Sequence, residues 1–191
     1  MRFALSNDLT ELTTERLVLR TWTAEAVAAV LADAGNDAEA GSASASGRRP
    51  ADWAADFPSG GDRVIAGLLD GNPDWLGAYG HRLIVERDSG LVVGSTGLFW
   101  PPNEGALELG YGVVASRQGR GYATEATRAL AAFALTAPGV RTVLAGVELS
   151  NPASVRVLEK AGFERYETTR GEDGGELARY RMTATPEHRQ Q

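Results

Sequence analysis

Apolar and polar positions along this chain change period several times, and each change marks an element. Arg16-Leu-Val-Leu-Arg20 alternates, the period of a half-buried strand. Thr23 stands where a helix N-cap belongs, ahead of an alanine-rich run that reaches about Leu31. Gly41 to Pro50 is rich in Gly and Ser and reads as a mobile loop. Asp62 to Leu69 predicts a short helix with Val64, Ile65, Leu68 and Leu69 on its buried face, ended by Gly71-Asn-Pro73.

Leu83 to Glu86 and Leu91 to Phe99 read as strands around the hairpin signal Asp88-Ser-Gly90, and Pro101-Pro-Asn103 breaks the second. Leu107 to Val114 is another strand. Ala123 to Leu135 is a helix with Ala126, Leu130 and Phe133 at i, i+4 and i+7. Thr142 to Leu149 is a strand. Pro152 to Ala161 is a helix ended by Gly162 at C′. Phe163 to Thr168 and Leu177 to Thr183 close the order as a hairpin around Gly171 to Gly175. The result is a mixed α/β layer without internal repeats: one domain over residues 1–185 and a polar tail over 186–191.

Composition narrows the chemistry. A chain of 191 residues suits one domain. No apolar run approaches the roughly 20 residues that cross a bilayer, and the start lacks the order of a signal peptide, so the expected location is the cytoplasm with no membrane partner. There is no cysteine, which removes disulfides, thiolate metal sites and a thiol nucleophile. Two histidines, His81 and His188, are too few to build a zinc site, so no metal is expected. A net charge of −6 argues against nucleic acid and suits a cationic substrate.

The segment that carries chemistry is Arg117-Gln-Gly-Arg-Gly-Tyr-Ala-Thr124, between a strand and a helix. Closely spaced glycines let the backbone curl so that several N–H groups face one concavity. The helix start adds unpaired donors and about half a positive charge. Together they form an anion site, with Arg117 and Arg120 adding charge. The same residues would also suit a glycine-rich connection that binds nothing. A Walker loop is excluded because no Lys follows the glycines. A dinucleotide fingerprint fits poorly, since Thr124 stands where its third glycine belongs and the approach strand ends early at Val114.

Gln118-x-x-Gly121-x-Ala123 resembles the Gln/Arg-x-x-Gly-x-Gly/Ala signature of the GCN5-related N-acetyltransferases (GNAT). The resemblance extends through Ala123-Thr-Glu-Ala126, Asn151-Pro-Ala-Ser154 and Val157-Leu-Glu-Lys-Ala-Gly-Phe163. It also includes Thr14-Glu-Arg-Leu-Val-Leu-Arg20 and Glu108-Leu-Gly-Tyr-Gly112. The combination is similar to the subgroup of ribosomal-protein N-terminal acetyltransferases, from about Thr13 to Met182. The segment from Leu31 to Pro73 matches little, and acceptor specificity is expected there.

That resemblance implies a central, mostly antiparallel sheet of six to seven strands flanked by about four helices. It implies acetyl-CoA as co-substrate and a small-molecule or peptide amine as acceptor. The pyrophosphate would rest on backbone N–H groups of Gln118, Gly119, Arg120, Gly121, Tyr122, Ala123 and Thr124. Tyr111, Gly112, Val113 and Val114 would pair with the pantetheine arm, and Asn151 and Ser154 would contact it. Ser154 would also hydrogen-bond the departing sulfur. Asn151 before Pro152 is in any case a helix N-cap. An exposed sheet edge would allow a homodimer, and a non-catalytic acyl-CoA-binding domain would keep the same loop without a working base.

Strand parity adds an independent hint. Glu108, Gly110, Gly112 and Val114 share one face, so the Glu108 carboxylate sits beside two glycines, as either a substrate-side base or a solvated strand carboxylate. His81 shows no carboxylate partner and reads as structural or solvated. Trp53, Trp75 and Trp100 fall in loops or at element ends, where they would line an acceptor pocket or pack against loops.

Overall fold

The computed structural model describes residues 4–5, 9–36, 49–171 and 174–184. Its elements run β1 (Ala4–Leu5), β2 (Glu11–Thr13), β3 (Leu17–Thr21), α1 (Ala24–Asn36) and α2 (Gly60–Gly71). They continue with β4 (His81–Glu86), β5 (Val92–Leu98), β6 (Ala106–Val113), α3 (Tyr122–Ala134), β7 (Thr142–Glu148), α4 (Pro152–Ala161), β8 (Glu164–Arg170) and β9 (Glu176–Thr183). The expected mixed α/β layer is present, as a mostly antiparallel sheet with four helices. Its strand order is β1-β2-β3-β4-β5-β6-β7-β9-β8. It holds nine strands rather than six or seven because β1 and β2, at two and three residues, are too short to show alternation. The tail at 186–191 lies outside the described residues, as does the loop read at Gly41 to Pro50 except for positions 49 and 50.

Local signals set most element ends. Thr23 Oγ1 accepts the Ala26 N–H at 3.2 Å, the cap expected of it, although α1 runs on to Asn36. Asn151 Oδ1 accepts the Ser154 N–H at 3.1 Å and opens α4, and Gly162 at φ +99° closes it. Ala126, Leu130 and Phe133 of α3 are buried as their spacing requires.

The buried face of α2 differs from expectation. Val64 is 64% and Leu68 39% exposed, while Asp62, Ala66 and Leu69, an i, i+4, i+7 stripe, point inward. The reason is polar. Asp62 forms a capping box with Ser59, and its carboxylate accepts the Ser95 Oγ hydroxyl of β5 at 2.5 Å. Those bonds turn the Asp62 side of the helix to the sheet and leave Val64 and Leu68 on the far side.

The bond from α2 to Ser95 also assigns the layers. Ser95 and Thr96 point to opposite faces of β5. On the Thr96 face, its partner Arg82 lies with its guanidinium 5.1 Å from the ring of Phe133 in α3. So α2 covers one face and α3 the other. An Arg63–Asp33 ion pair at 3.2 Å joins α2 to α1, and α4 packs on α3 and β7.

One break in the sheet decides what the molecule can hold. β6 pairs antiparallel with β5 from Leu109 opposite Leu98 to Val113 opposite Gly94. It pairs in parallel with β7 only from Ala106 opposite Thr142 to Glu108 opposite Leu144. β7 meanwhile stays paired with β9 out to Glu148. Beyond Glu108 the two parallel strands therefore part, and a wedge opens between residues 109–113 and 145–148.

Candidate functional site

The chain leaves β6 at Val113, makes a short 3-10 turn over Ala115–Arg117 and enters α3 at Tyr122. Gly119 and Gly121 both take positive φ, +75° and +83°, which costs an L side chain roughly 1–2 kcal/mol. Gly121 is the N-cap and has no side chain to bond the helix. The N–H groups of Tyr122, Ala123 and Thr124 have no acceptor within the first turn of α3 and point outward with the positive end of the helix dipole. This is an anion seat built from backbone.

Two buried carboxylates hold that seat in shape. Glu86 at the end of β4 accepts the Tyr122 hydroxyl at 2.6 Å and the Ser89 hydroxyl at 2.6 Å. Arg117 Nε lies 3.4 Å and Arg120 Nη1 3.7 Å from the same group. The Ser89 hydrogen bond first, then that of Tyr122, holds the Glu86 carboxyl below the usual carboxylate range against the opposing effect of burial. Glu86 in turn pushes the Tyr122 phenol up. Glu125, in the first turn of α3, accepts Thr14 Oγ1 at 2.6 Å and both the backbone N–H and Nε of Arg16 at 2.8 Å. Burial raises the Glu125 carboxyl, but these bonds outweigh it and the net shift is downward. Arg16 also donates to the Arg120 carbonyl at 2.8 Å and covers the Tyr122 ring at 5.0 Å.

The seat and the wedge open into one cleft of about 900 Å³. Of the residues singled out in the sequence, Tyr111, Gly112, Val113, Gln118, Gly119, Gly121, Tyr122, Ala123, Thr124, Asn151 and Ser154 line it. Val114 and Arg120 stand outside the lining. Val114 is buried with its N–H on the Val93 carbonyl at 2.9 Å, and Arg120 turns toward Glu86. Tyr111 bridges the cleft, donating to the Ser154 carbonyl at 3.0 Å, and its burial pushes the phenol up. Gln118 donates back to the Val113 carbonyl at 3.0 Å.

Glu108 lies at the vertex of the wedge, exposed and outside the cleft lining, on the face that carries α2. Gly110 and Gly112 follow it on that face. A Cβ on Gly110 would stand 3.7 Å from Phe99, and one on Gly112 would meet nothing within 4 Å, so this side of the wedge is open. The anion seat and the carboxylate thus address the wedge from opposite faces of the sheet.

Two other expectations, for His81 and for the tryptophans, meet plain answers. His81 is buried between Trp75 and Phe99, its Nε2 has no partner, and burial alone pushes its pKa down to about 4. It is a structural histidine. Trp53 is a core residue in edge contact with Phe57, while Trp75 packs on Phe99 and Trp100 stacks on Tyr79. Among the described residues no group of three or more His, Asp or Glu could hold a metal, and no helix is long and apolar enough to cross a membrane.

Sequence reasoning passed over Arg16, Glu86 and Glu125 as parts of this site. Glu125 sits one turn past the glycines, where an acid at a helix start is a readable signal. Glu86 has no local signal, since only strand pairing brings it to a loop more than thirty positions away.

Comparison with known proteins agrees with this geometry. The acetyltransferase (GNAT) domain family model matches residues 16–164. An uncharacterized N-acetyltransferase of Bacillus subtilis is 37% identical over 82 residues, 42% of this chain, and the match spans about half, 49%, of that relative. The fold is shared with a GNAT-family acetyltransferase from Bacillus anthracis (TM-score 0.62, 17% identity, 91% of this chain and 98% of that one). It is shared also with a ribosomal L7/L12 alpha-N-protein acetyltransferase in complex with coenzyme A (TM-score 0.61, 19% identity, 89% and 95%).

Proposed function

We propose, from the premise that this chain belongs to the acetyltransferase (GNAT) family, that it moves an acetyl group from acetyl-CoA to a primary amine by direct attack in a ternary complex. The acceptor class is a protein N-terminus or a small-molecule amine. The observation that carries this reading is the parting of β6 from β7 beyond Glu108, in the same cleft as the amide seat at α3. A diphosphate suits the outward N–H groups of Tyr122 to Thr124, and a pantetheine arm suits the unpaired edge of residues 109–113. The thioester would then reach the wedge, where an amine enters from the Glu108 side.

The chain has no cysteine to carry an acetyl group, so the amine nitrogen attacks the thioester carbonyl itself. An ammonium has no lone pair, and Glu108, directly or through a water, takes its proton. The carbonyl carbon becomes tetrahedral, the C–S bond breaks, the sulfur leaves with the electron pair, and the second proton shed by the attacking nitrogen passes to that sulfur or to solvent. A free thiol has a pKa near 8.5, so a hydroxyl beside the leaving sulfur lowers the cost of departure, and Ser154 in the first turn of α4 supplies one. The Ser154→Ala variant should lose on the order of tenfold in kcat with little change in CoA affinity; unchanged kcat would leave Ser154 only its helix role.

The test is thiol release from acetyl-CoA across short peptides and small amines, paired with calorimetric titration of CoA. Release with at least one acceptor class supports transfer. Tight CoA binding with no release from any amine would instead make this an acyl-CoA-binding domain.

A further inference from the structure

The wedge has a second side, the face of β5 and β6 that carries α2. Alternation places Glu108, Gly110 and Gly112 of β6 there, and opposite them Phe99, Gly97 and Ser95. The Phe99 N–H donates to the Glu108 carbonyl at 3.0 Å, so their side chains start from facing positions, Cβ atoms roughly 5 Å apart. The glycines of β6 leave room for the Phe99 ring to lie along the wedge, where a Cβ on Gly110 would meet it at 3.7 Å.

Two further rings hold Phe99 in place. His81 pairs with Gly97 and lies over it, since a Cβ there would fall 1.9 Å from the His81 Nδ1. The His81 ring meets Phe99 edge-on at 5.0 Å, and Trp75 does so at 5.8 Å. Trp75 stands on a short 3-10 turn over Pro73–Leu76, just after α2. Gly80 lets that turn close, because a Cβ there would strike the Trp75 carbonyl oxygen at 1.7 Å. Burial keeps His81 uncharged at neutral pH, so all three rings are neutral. Phe99 and Trp75 are only half-buried. The result is a partly exposed aromatic wall with the Glu108 carboxylate at its foot. Glu148 shares this face across the wedge, four residues past Leu144, the partner of Glu108, and so roughly 13 Å along the strand. It already accepts the Ser150 hydroxyl at 3.2 Å, so a small amine beside Glu108 does not reach it.

We propose that Phe99 and Trp75 bind the side group of the acceptor, and that the preferred acceptor contains an arylethylamine unit. This rests on the acetyl-transfer reading above and adds to it the class of amine. An ammonium beside Glu108 carries a ring two carbons away against Phe99 and Trp75, where offset or edge-to-face contact favours it. A simple alkyl amine reaches the same carboxylate but leaves the rings uncovered. Phenethylamine and a peptide that begins with phenylalanine both contain the unit.

The experiment measures thiol release from acetyl-CoA with phenethylamine, butylamine, a linear diamine, and dipeptide amides beginning with phenylalanine or alanine. The aryl member of each matched pair should have the higher kcat/KM, by on the order of tenfold. Whether the free amine or the dipeptide gives the larger value tells the two sources of the unit apart. Phe99→Leu keeps apolar bulk and removes the ring. It should bring the ratio near one by raising KM for phenethylamine, with CoA affinity and melting temperature unchanged. Trp75→Leu, at a half-buried position on a turn, reads the same ratio if the first variant does not fold. A wild-type protein with no aryl preference, or one that prefers the diamine, overturns the proposal, as do variants that keep the preference. If no amine releases thiol, phenethylamine is titrated calorimetrically into the CoA-saturated protein. Binding that Phe99→Leu weakens would then retain the aryl site and remove acetyl transfer, and no binding would remove both.

Discussion

Arg82 shows what one residue can hold. It is fully buried and forms no ion pair among the described residues, and burial lowers its pKa to about 10. Its charge is met by carbonyls: Nη1 donates to Thr10 and Leu19 at 3.0 and 3.1 Å, and Nη2 to Leu9 and Ala78 at 2.8 and 2.5 Å. One side chain thus ties the approach to β2, the strand β3 and the segment before β4. Arg82→Met keeps the bulk and orphans four carbonyls, so urea unfolding should show a loss of roughly 2–4 kcal/mol. A loss below about 0.5 kcal/mol would mean that water replaces the guanidinium. Glu108→Gln belongs to the same scale and tests chemistry instead. Turnover at neutral pH should fall on the order of a hundredfold, with CoA affinity kept, and recover as rising pH deprotonates the amine without help. Full activity at neutral pH would make Glu108 a solvated strand carboxylate.

At the scale of elements, the close approach of β5 to β6 fixes the position of one wall of the wedge. Gly94 of β5 has φ +155°, and a Cβ there would lie 2.1 Å from the Gly112 carbonyl oxygen and 2.9 Å from the Val113 Cα. These are backbone atoms that cannot rotate away. Gly94→Ala should push β6 outward, costing roughly 2–4 kcal/mol in thermal unfolding and weakening CoA binding together. Gly112→Ala would meet nothing within 4 Å and serves as the control that keeps stability. Helix α2 shows how an element can be found and its orientation missed. Its span was legible from its length and its Gly-Asn-Pro stop. Counting apolar residues put Val64 and Leu68 inside, whereas the Asp62 bonds to Ser59 and Ser95 turned them out.

Over the whole molecule, ligand and proton both act on stability. If acetyl-CoA binds the folded chain alone, a hundredfold excess over Kd adds about 2.7 kcal/mol. For a chain of this size that raises Tm by roughly 5–10 °C, and no shift with acetyl-CoA or CoA would contradict the carrier site. Protons act in the opposite sense. Burial depresses the His81 pKa from 6.5 to about 4, so between those values the unfolded chain binds a proton that the folded one refuses. Stability therefore falls as pH drops through that window, by roughly 2–4 kcal/mol. Glu86 and Glu125 continue the trend lower down: their depressed carboxyls contribute stability above the ordinary value of 4.5 that is lost as pH falls through their folded values. His81→Leu should flatten the upper part of this profile in denaturant titrations at several pH values. An unchanged slope would assign the loss to other groups.

What the sequence determined by itself was local. Apolar runs bounded by turn signals marked β4 to β7 within two residues of their ends, and the 3.6 period with its caps marked α3 and α4. Two glycines, free to take the positive φ that other residues resist, marked the turn that frees the N–H groups of α3. Each of these is a property of a few consecutive residues, so it survives being read without a fold. The tertiary structure decided everything that depends on register between distant strands. It parted β6 from β7 at Glu108, brought Glu86 and Arg16 to the glycine loop before α3, and gathered Arg128, Arg156 and Lys160 along one cleft. Those meetings arise from how strands and helices bury their faces against one another, and no short stretch of chain encodes them.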